Sequence, residues 1–144
     1  MTPFESFFSG HLFCINLARR TDRWEHCQRQ LLRHRLTQVQ RFEACGDPIP
    51  GRNDQNTGCT LSHRTLLDLQ IANEWPRMCV LEDDFDIIFG DFHERWAAYE
   101  KEIPSDWDMI YLGGSYGEKP IARVSQNMIR AGRIMTTSSY GITL

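Results

Sequence analysis

The sequence predicts an α/β fold, a mostly parallel sheet with helices on both faces. Three observations carry that expectation. Short apolar runs alternate with stretches of helical periodicity along the 144 residues, an order that builds parallel βαβ units. The runs at 12–17 and 78–81 are apolar at consecutive positions, as strands buried on both faces are. The helical stretches open on Thr, Asp or Gly, and two of them stop at Pro, residues that mark helix ends.

The first strand falls at 12–17. Thr21 or Asp22 is placed to cap a helix running to about residue 35, with Trp24, Cys27, Leu31 and Leu32 on one side. Arg23, Arg29, Arg33 and Arg35 fall mostly elsewhere on it. A second strand fits 38–44. Residues 45–57 are rich in Gly, Pro, Asn and Asp, a loop composition, and the loop is long enough to suggest a function. A helix fits 59–74, with Leu61, Thr65, Leu69 and Ala72 as its stripe and Pro76 as its stop. The strand at 78–81 ends in Glu82-Asp83-Asp84. Asp91 can cap a helix in which Phe92, Trp96, Tyr99 and Ile103 recur at helical spacing, and Pro104 ends it. A strand at 108–112 runs into Gly113-Gly114. Residues 129–135 suggest one more strand, and 139–144 the opening of a helix. The whole reads as a single domain, 1–144, shortened on its C-terminal side.

Composition is that of a soluble globular protein with a net charge of −3. Residues 1–52 carry eight Arg against five acids, and the rest carries eight Lys and Arg against fourteen acids. The overall acidity and the core-facing spacing of the aromatics argue against nucleic-acid binding. The five cysteines include no CxxC pair, which argues against a structural zinc site or a disulfide scaffold. No apolar run reaches the length of a membrane span, and residues 1–10 lack the features of a secretory signal. The expected location is the cytoplasm, with at most peripheral contact at the inner membrane face.

Three groups of residues carry chemistry. Glu82, Asp83, Asp84 and Asp86 follow a buried strand, and in open α/β sheets ligands bind beyond the carboxyl ends of strands. Crowded carboxylates repel one another unless solvated or neutralised by a cation, so this end is a candidate seat for a divalent metal. Strand alternation puts Glu82 and Asp84 on one side and Asp83 on the other, which makes Asp84, with Glu82, the candidate ligands. At the end of the first strand, Asn16 is followed by Arg19, Arg20, Asp22 and Arg23, where a helix N-terminus and guanidinium forks suit phosphate. Gly58, Thr60, Ser62 and His63 open the next helix, a place for a diphosphate and for a proton donor or metal ligand. Neither GxGxxG nor GxxxxGK[ST] occurs.

Five segments together resemble glycosyltransferase family 25, in the family's order. They are Ile15-Asn16-Leu17 with Arg20-Thr21-Asp22-Arg23; Arg41-Phe42-Glu43-Ala44; Gly58-Cys59-Thr60-Leu61-Ser62-His63; Val80-Leu81-Glu82-Asp83-Asp84; and Trp107-Asp108-Met109-Ile110-Tyr111-Leu112-Gly113. The family covers lipopolysaccharide-type sugar transferases and related galactosyltransferases. The resemblance implies a GT-A type fold, a UDP-sugar donor, commonly UDP-galactose, and a saccharide or lipid-linked glycan acceptor. It implies Mn²⁺ or Mg²⁺ held by a DxD-like motif that falls on Glu82-Asp83-Asp84. It places the nucleotide at Asn16, Arg20 and Asp22, with a Ser-His helix start on Ser62 and His63; Glu82 and Asp83 of the acidic motif, and Arg19 and Gly58 from the residue pattern, complete the expected nucleotide-sugar site. Inversion at the sugar carbon needs a carboxylate base, for which Asp108 and Asp86 are the candidates within the chain. The other readings of the same corner are a UDP-sugar-binding domain without catalysis and a nucleotidyltransferase.

Overall fold

Four of the five strands in the central sheet point the same way, and one runs against them. The computed structural model describes residues 1–46, 55–115, 117–136 and 138–144. β1 (Leu12–Asn16) pairs in parallel with β2 (Val39–Glu43) on one side and with β3 (Arg77–Glu82) on the other. β7 (Ser139–Thr143) lies antiparallel between β3 and β4 (Met109–Gly113), giving the order β2-β1-β3-β7-β4. A separate two-stranded hairpin joins β5 (Ala122–Arg123) to β6 (Ile129–Arg130).

Alternation along β1 and β3 divides the core into two layers. Leu12, Cys14, Cys79 and Leu81 face one way. They meet Phe4 and Phe8 from α1 (Pro3–Phe7) and its end, Cys27 and Leu31 from α2 (Thr21–Arg33), and Trp96 from α4 (Phe92–Tyr99). Phe13, Ile15, Met78 and Val80 face the other way, against Leu66 of α3 (Gln55–Ala72) and Tyr140. Both faces are covered, which is why these strands are apolar at every position rather than at alternate ones.

Several elements differ from their sequence expectation. The segment 139–144 is a strand, not a helix. It fills the slot between β3 and β4, where Gly141 lets the backbone pass the Phe8 ring; a Cβ there would sit 2.5 Å from Phe8 Cε1. The strand expected at 129–135 shrinks to Ile129–Arg130, which pairs with the two-residue β5. Helix α3 begins at Gln55 rather than at residue 59, so Gly58 and Cys59 lie inside its first turns. Residues 47–54 of the expected loop lie outside the described residues. Neither Thr21 nor Asp22 caps α2. The N-cap is Arg20, and the Asp22 carboxylate accepts from the Arg20 guanidinium at 2.9 and 2.7 Å instead. Asp91 stands at the N-cap of α4 but makes no capping bond, its carboxylate going to Arg95 at 2.8 Å. The helix expected to reach Ile103 ends at Tyr99 and closes in a 3₁₀ turn, Glu100–Glu102.

The short α1 has no counterpart among the elements expected from sequence. Thr2 and Glu5 form a reciprocal capping box, with Pro3 at the first helical position. Glu5 is fully buried and also accepts from the Thr37 and Gln38 amides, which ties the N-terminus to the start of β2. Among the described residues, no helix is long and apolar enough to cross a membrane.

Candidate functional site

From β1 the chain first adds β2 on one side, then returns through α3 to add β3 on the other. The carboxyl ends of β1 and β3 therefore flank a point where strand order reverses, and crevices form at such points. Asn16 ends β1 and Glu82 ends β3. Beyond these ends the pleat sorts the side chains onto two sides.

On the α2 side, Asp83 is buried, and both its carboxylate oxygens and its carbonyl have partners. Its Oδ2 accepts from Asn16 Nδ2 at 2.6 Å, its Oδ1 from Arg23 Nη1 at 2.7 Å, and its carbonyl from Cys27 Sγ at 3.4 Å. Asn16 is buried too. Its Nδ2 also donates to the Arg20 carbonyl at 3.2 Å, and its Oδ1 accepts from Arg41 Nε and Nη2 at 3.0 and 2.6 Å. The guanidinium of Arg41 in turn lies 5.2 Å from the Trp24 ring. This half is a closed network holding β1, β2, α2 and the β3 end in register.

On the α3 side, the half-buried Glu82 meets His63, with Nε2 and Oε1 3.1 Å apart. Tyr140, buried on β7, places its hydroxyl 2.9 Å from His63 Nδ1. A carboxylate only accepts, so a neutral His63 carries its proton on Nε2, and Tyr140 O–H donates to Nδ1. Burial, with the nearby Glu82 carboxylate adding to it, pushes the Tyr140 hydroxyl well up, so it stays protonated. Cys59, one helical turn before His63, completes a group whose ligand atoms all lie within 4.8 Å of one another. Desolvation, then the charges of Glu82 and Asp84, pushes the Cys59 thiol up. Asp84 is exposed and makes no hydrogen bond or ion pair among the described residues.

The remaining expected site residues sit as follows. Gly58 is buried against the Cys45 carbonyl, which a Cβ would approach to 2.8 Å. The Ser62 hydroxyl is buried, donating to the Gly58 carbonyl at 2.7 Å and accepting from Cys45 N at 2.9 Å, so it clamps α3 to the end of β2. Arg19 is exposed, and half-buried Arg20 is paired with exposed Asp22, whose carboxyl its guanidinium holds down at about 2. Asp86 is exposed and accepts from Gln30 Nε2 at 2.9 Å, with His26 Nε2 also 2.9 Å away.

Asp108 requires a correction. It precedes β4, and its carbonyl accepts from Thr143 N at 3.0 Å, while Thr143 is in register with Arg77 at the start of β3. It therefore lies at the opposite end of the sheet from Asp84, separated from it by the whole length of β3, roughly 17 Å. That separation removes it from the chemistry of this corner. Conversely, Arg41, Cys59 and Tyr140 belong to the corner although sequence reasoning assigns them no role there, and Arg23 serves Asp83 rather than a phosphate. The i, i+4 spacing of Cys59 and His63 is the sequence signal available for one of them.

The profile of glycosyltransferase family 25 (LPS biosynthesis protein) matches residues 53–141, well over half of the chain. The chain belongs to that family. It is also similar to procollagen galactosyltransferase 1 of Danio rerio, 28% identical over a 165-residue alignment covering 92% of this chain. The chain spans 27% of that relative's length.

Proposed function

We propose that this chain is a GT-A type, metal-dependent glycosyltransferase domain that transfers a hexose, most simply galactose, from a UDP-sugar to a saccharide or lipid-linked glycan. One observation carries the reading. At the switch point of the sheet a buried strand delivers Asp84 to solvent without a partner among the described residues, while its neighbour Asp83 is locked inside. Family membership supplies the reaction class, and the galactosyltransferase relative supplies the sugar.

The donor set fits a hard dication in part of the acidic motif only. Asp83 is spent on Asn16 and Arg23, and Asp86 on Gln30 and His26; Asp84 would hold Mn²⁺ or Mg²⁺, with Glu82, itself partnered by His63, as a second carboxylate. One or two carboxylates, completed by water and substrate phosphates, is an ordinary set for such ions. Bound there, the ion would neutralise charge developing on the departing diphosphate. The chain's own residues do the rest. Asp83, Asn16 and Arg41 fix the strand ends, His63 and Tyr140 hold the Glu82 carboxylate in place, and Arg19 and Arg20 add positive potential for an anionic donor at the α2 end.

Calorimetry with UDP and Mn²⁺ tests the binding half. Wild type should bind UDP at least tenfold more tightly with Mn²⁺ than without, and Asp84→Asn should abolish that difference. Equal affinities in both proteins would refute the reading. Transfer from UDP-galactose above background then separates an enzyme from a binding domain.

A further inference from the structure

We propose that Cys59, His63 and Glu82 form an open three-ligand seat for a borderline-soft dication, zinc above all, sharing only Glu82 with the hard-ion seat at Asp84. One ligand atom from each residue lies within 4.8 Å of the other two. The arrangement is built by two periodicities. Positions 59 and 63 are one turn apart on α3, so thiol and imidazole share a face. Glu82 shares the parity of Met78 and Val80, the β3 side chains that pack on α3, so its carboxylate is delivered to that same face.

The donor chemistry is selective. A thiolate, an imidazole and one carboxylate suit zinc, whereas magnesium and manganese favour all-oxygen sets. Among the described residues, three protein ligands leave a fourth position for water or an anion, the pattern of an open zinc site. Bond lengths of about 2.0–2.3 Å put the ligand atoms of a tetrahedral site about 3.5 Å apart. His63 Nε2 and Glu82 Oε1 are already 3.1 Å apart, so the adjustment falls on Cys59, the exposed member.

An orienting partner is also in place. Tyr140, buried on β7, holds His63 through Nδ1 at 2.9 Å and so keeps Nε2 directed at the ion. On binding, zinc replaces the proton between Nε2 and Glu82. That proton is taken up at Nδ1, which then donates to the Tyr140 oxygen, and the Cys59 thiol proton leaves to solvent.

Cobalt reports such a site by colour and needs no sugar nucleotide, so the result is independent of the transferase reading. Chelator-treated protein is titrated with Co²⁺ and followed by absorption. Wild type should take up one equivalent, with visible ligand-field bands and a near-ultraviolet thiolate-to-cobalt band, and Zn²⁺ should bleach both. Cys59→Ser should lose the near-ultraviolet band, while Cys45→Ser and Asp84→Asn keep it. Tyr140→Phe should weaken binding about tenfold, as loss of an orienting partner does. Absence of the thiolate band in wild type, or its survival in Cys59→Ser with an unchanged circular dichroism spectrum, would overturn the proposal.

Discussion

On the α2 side of the β3 end, both carboxylate oxygens of Asp83 accept from buried or half-buried donors within the protein. In the turn one residue further along, Asp84 stands in water with no such donor among the described residues. The two are consecutive residues of the turn that follows β3. That turn sends Asp83 into a finished network with Asn16 and Arg23, while Glu82, the last residue of the strand, stands beside Cys59 and His63. Of the acidic triplet, one carboxylate is thus enclosed by the protein's own donors, one is half-buried beside His63 and one is in water, so total charge is a poor guide to what each carboxylate can do.

The sharpest way to break this comparison is to remove the scaffold member. Asp83→Ala leaves Asn16 and Arg23 without their shared acceptor and should cost about 3 kcal/mol, read from the urea midpoint. A loss under about 0.5 kcal/mol would mean that the closed half holds nothing together. Next in size is Gly141→Ala. Its Cβ would lie 2.5 Å from Phe8 Cε1, so β7 must shift, at about 2 kcal/mol for overpacking. The same shift should carry Tyr140 away from His63, loosening the open half.

A third carboxylate, Glu5, sharpens the contrast because it is closed but remote. Burial raises its pKa, but the hydrogen bonds from Thr2, Gln38 and Thr37 outweigh that and hold it below the ordinary value of 4.5. A depressed folded-state pKa means stability that is fully present above 4.5 and lost as pH falls through the lower, folded-state value. Glu5→Gln should thus cost about 1.5 kcal/mol at neutral pH, the worth of a charge-assisted bond. The gap to wild type should narrow on acidification, in denaturation curves recorded from pH 7 to pH 3. The smallest effect belongs to the open half: Asp84→Ala should change stability by under about 0.5 kcal/mol at any pH where the fold persists.

Much of the fold is legible in the sequence because β1 and β3 are buried on both faces and carry that burial in consecutive apolar residues. β7 is not, because nothing local specifies it. Tyr140-Gly141-Ile142 becomes a strand through its neighbours β3 and β4 and through the fit of Gly141 over Phe8, all distant in sequence. The helix α1 does have a local signal, since Thr-Pro-x-Glu is a capping-box signature, but at five residues it is too short to show a periodic apolar face. At the site, alternation alone separates Glu82 and Asp84 from Asp83. The guanidinium partner of Asp83 and the Tyr140–His63 contact need the fold, because they join segments 60 and 77 residues apart. Asp108 can be set aside from sequence: it precedes its apolar run, whereas a ligand-binding acid at this kind of sheet follows one.

The antiparallel β7 also sets an order of assembly. Thr143 pairs with Arg77, 66 positions earlier, and the same strand is the bridge between β3 and β4. On the ribosome, β1, β2 and β3 can associate as soon as they emerge, but β4 has no sheet edge to join until residues 139–143 follow it. Its Ile110, which packs against the core in the finished sheet, is then apolar surface awaiting a partner, and that interval is when a nascent chain of this kind is most in need of a chaperone.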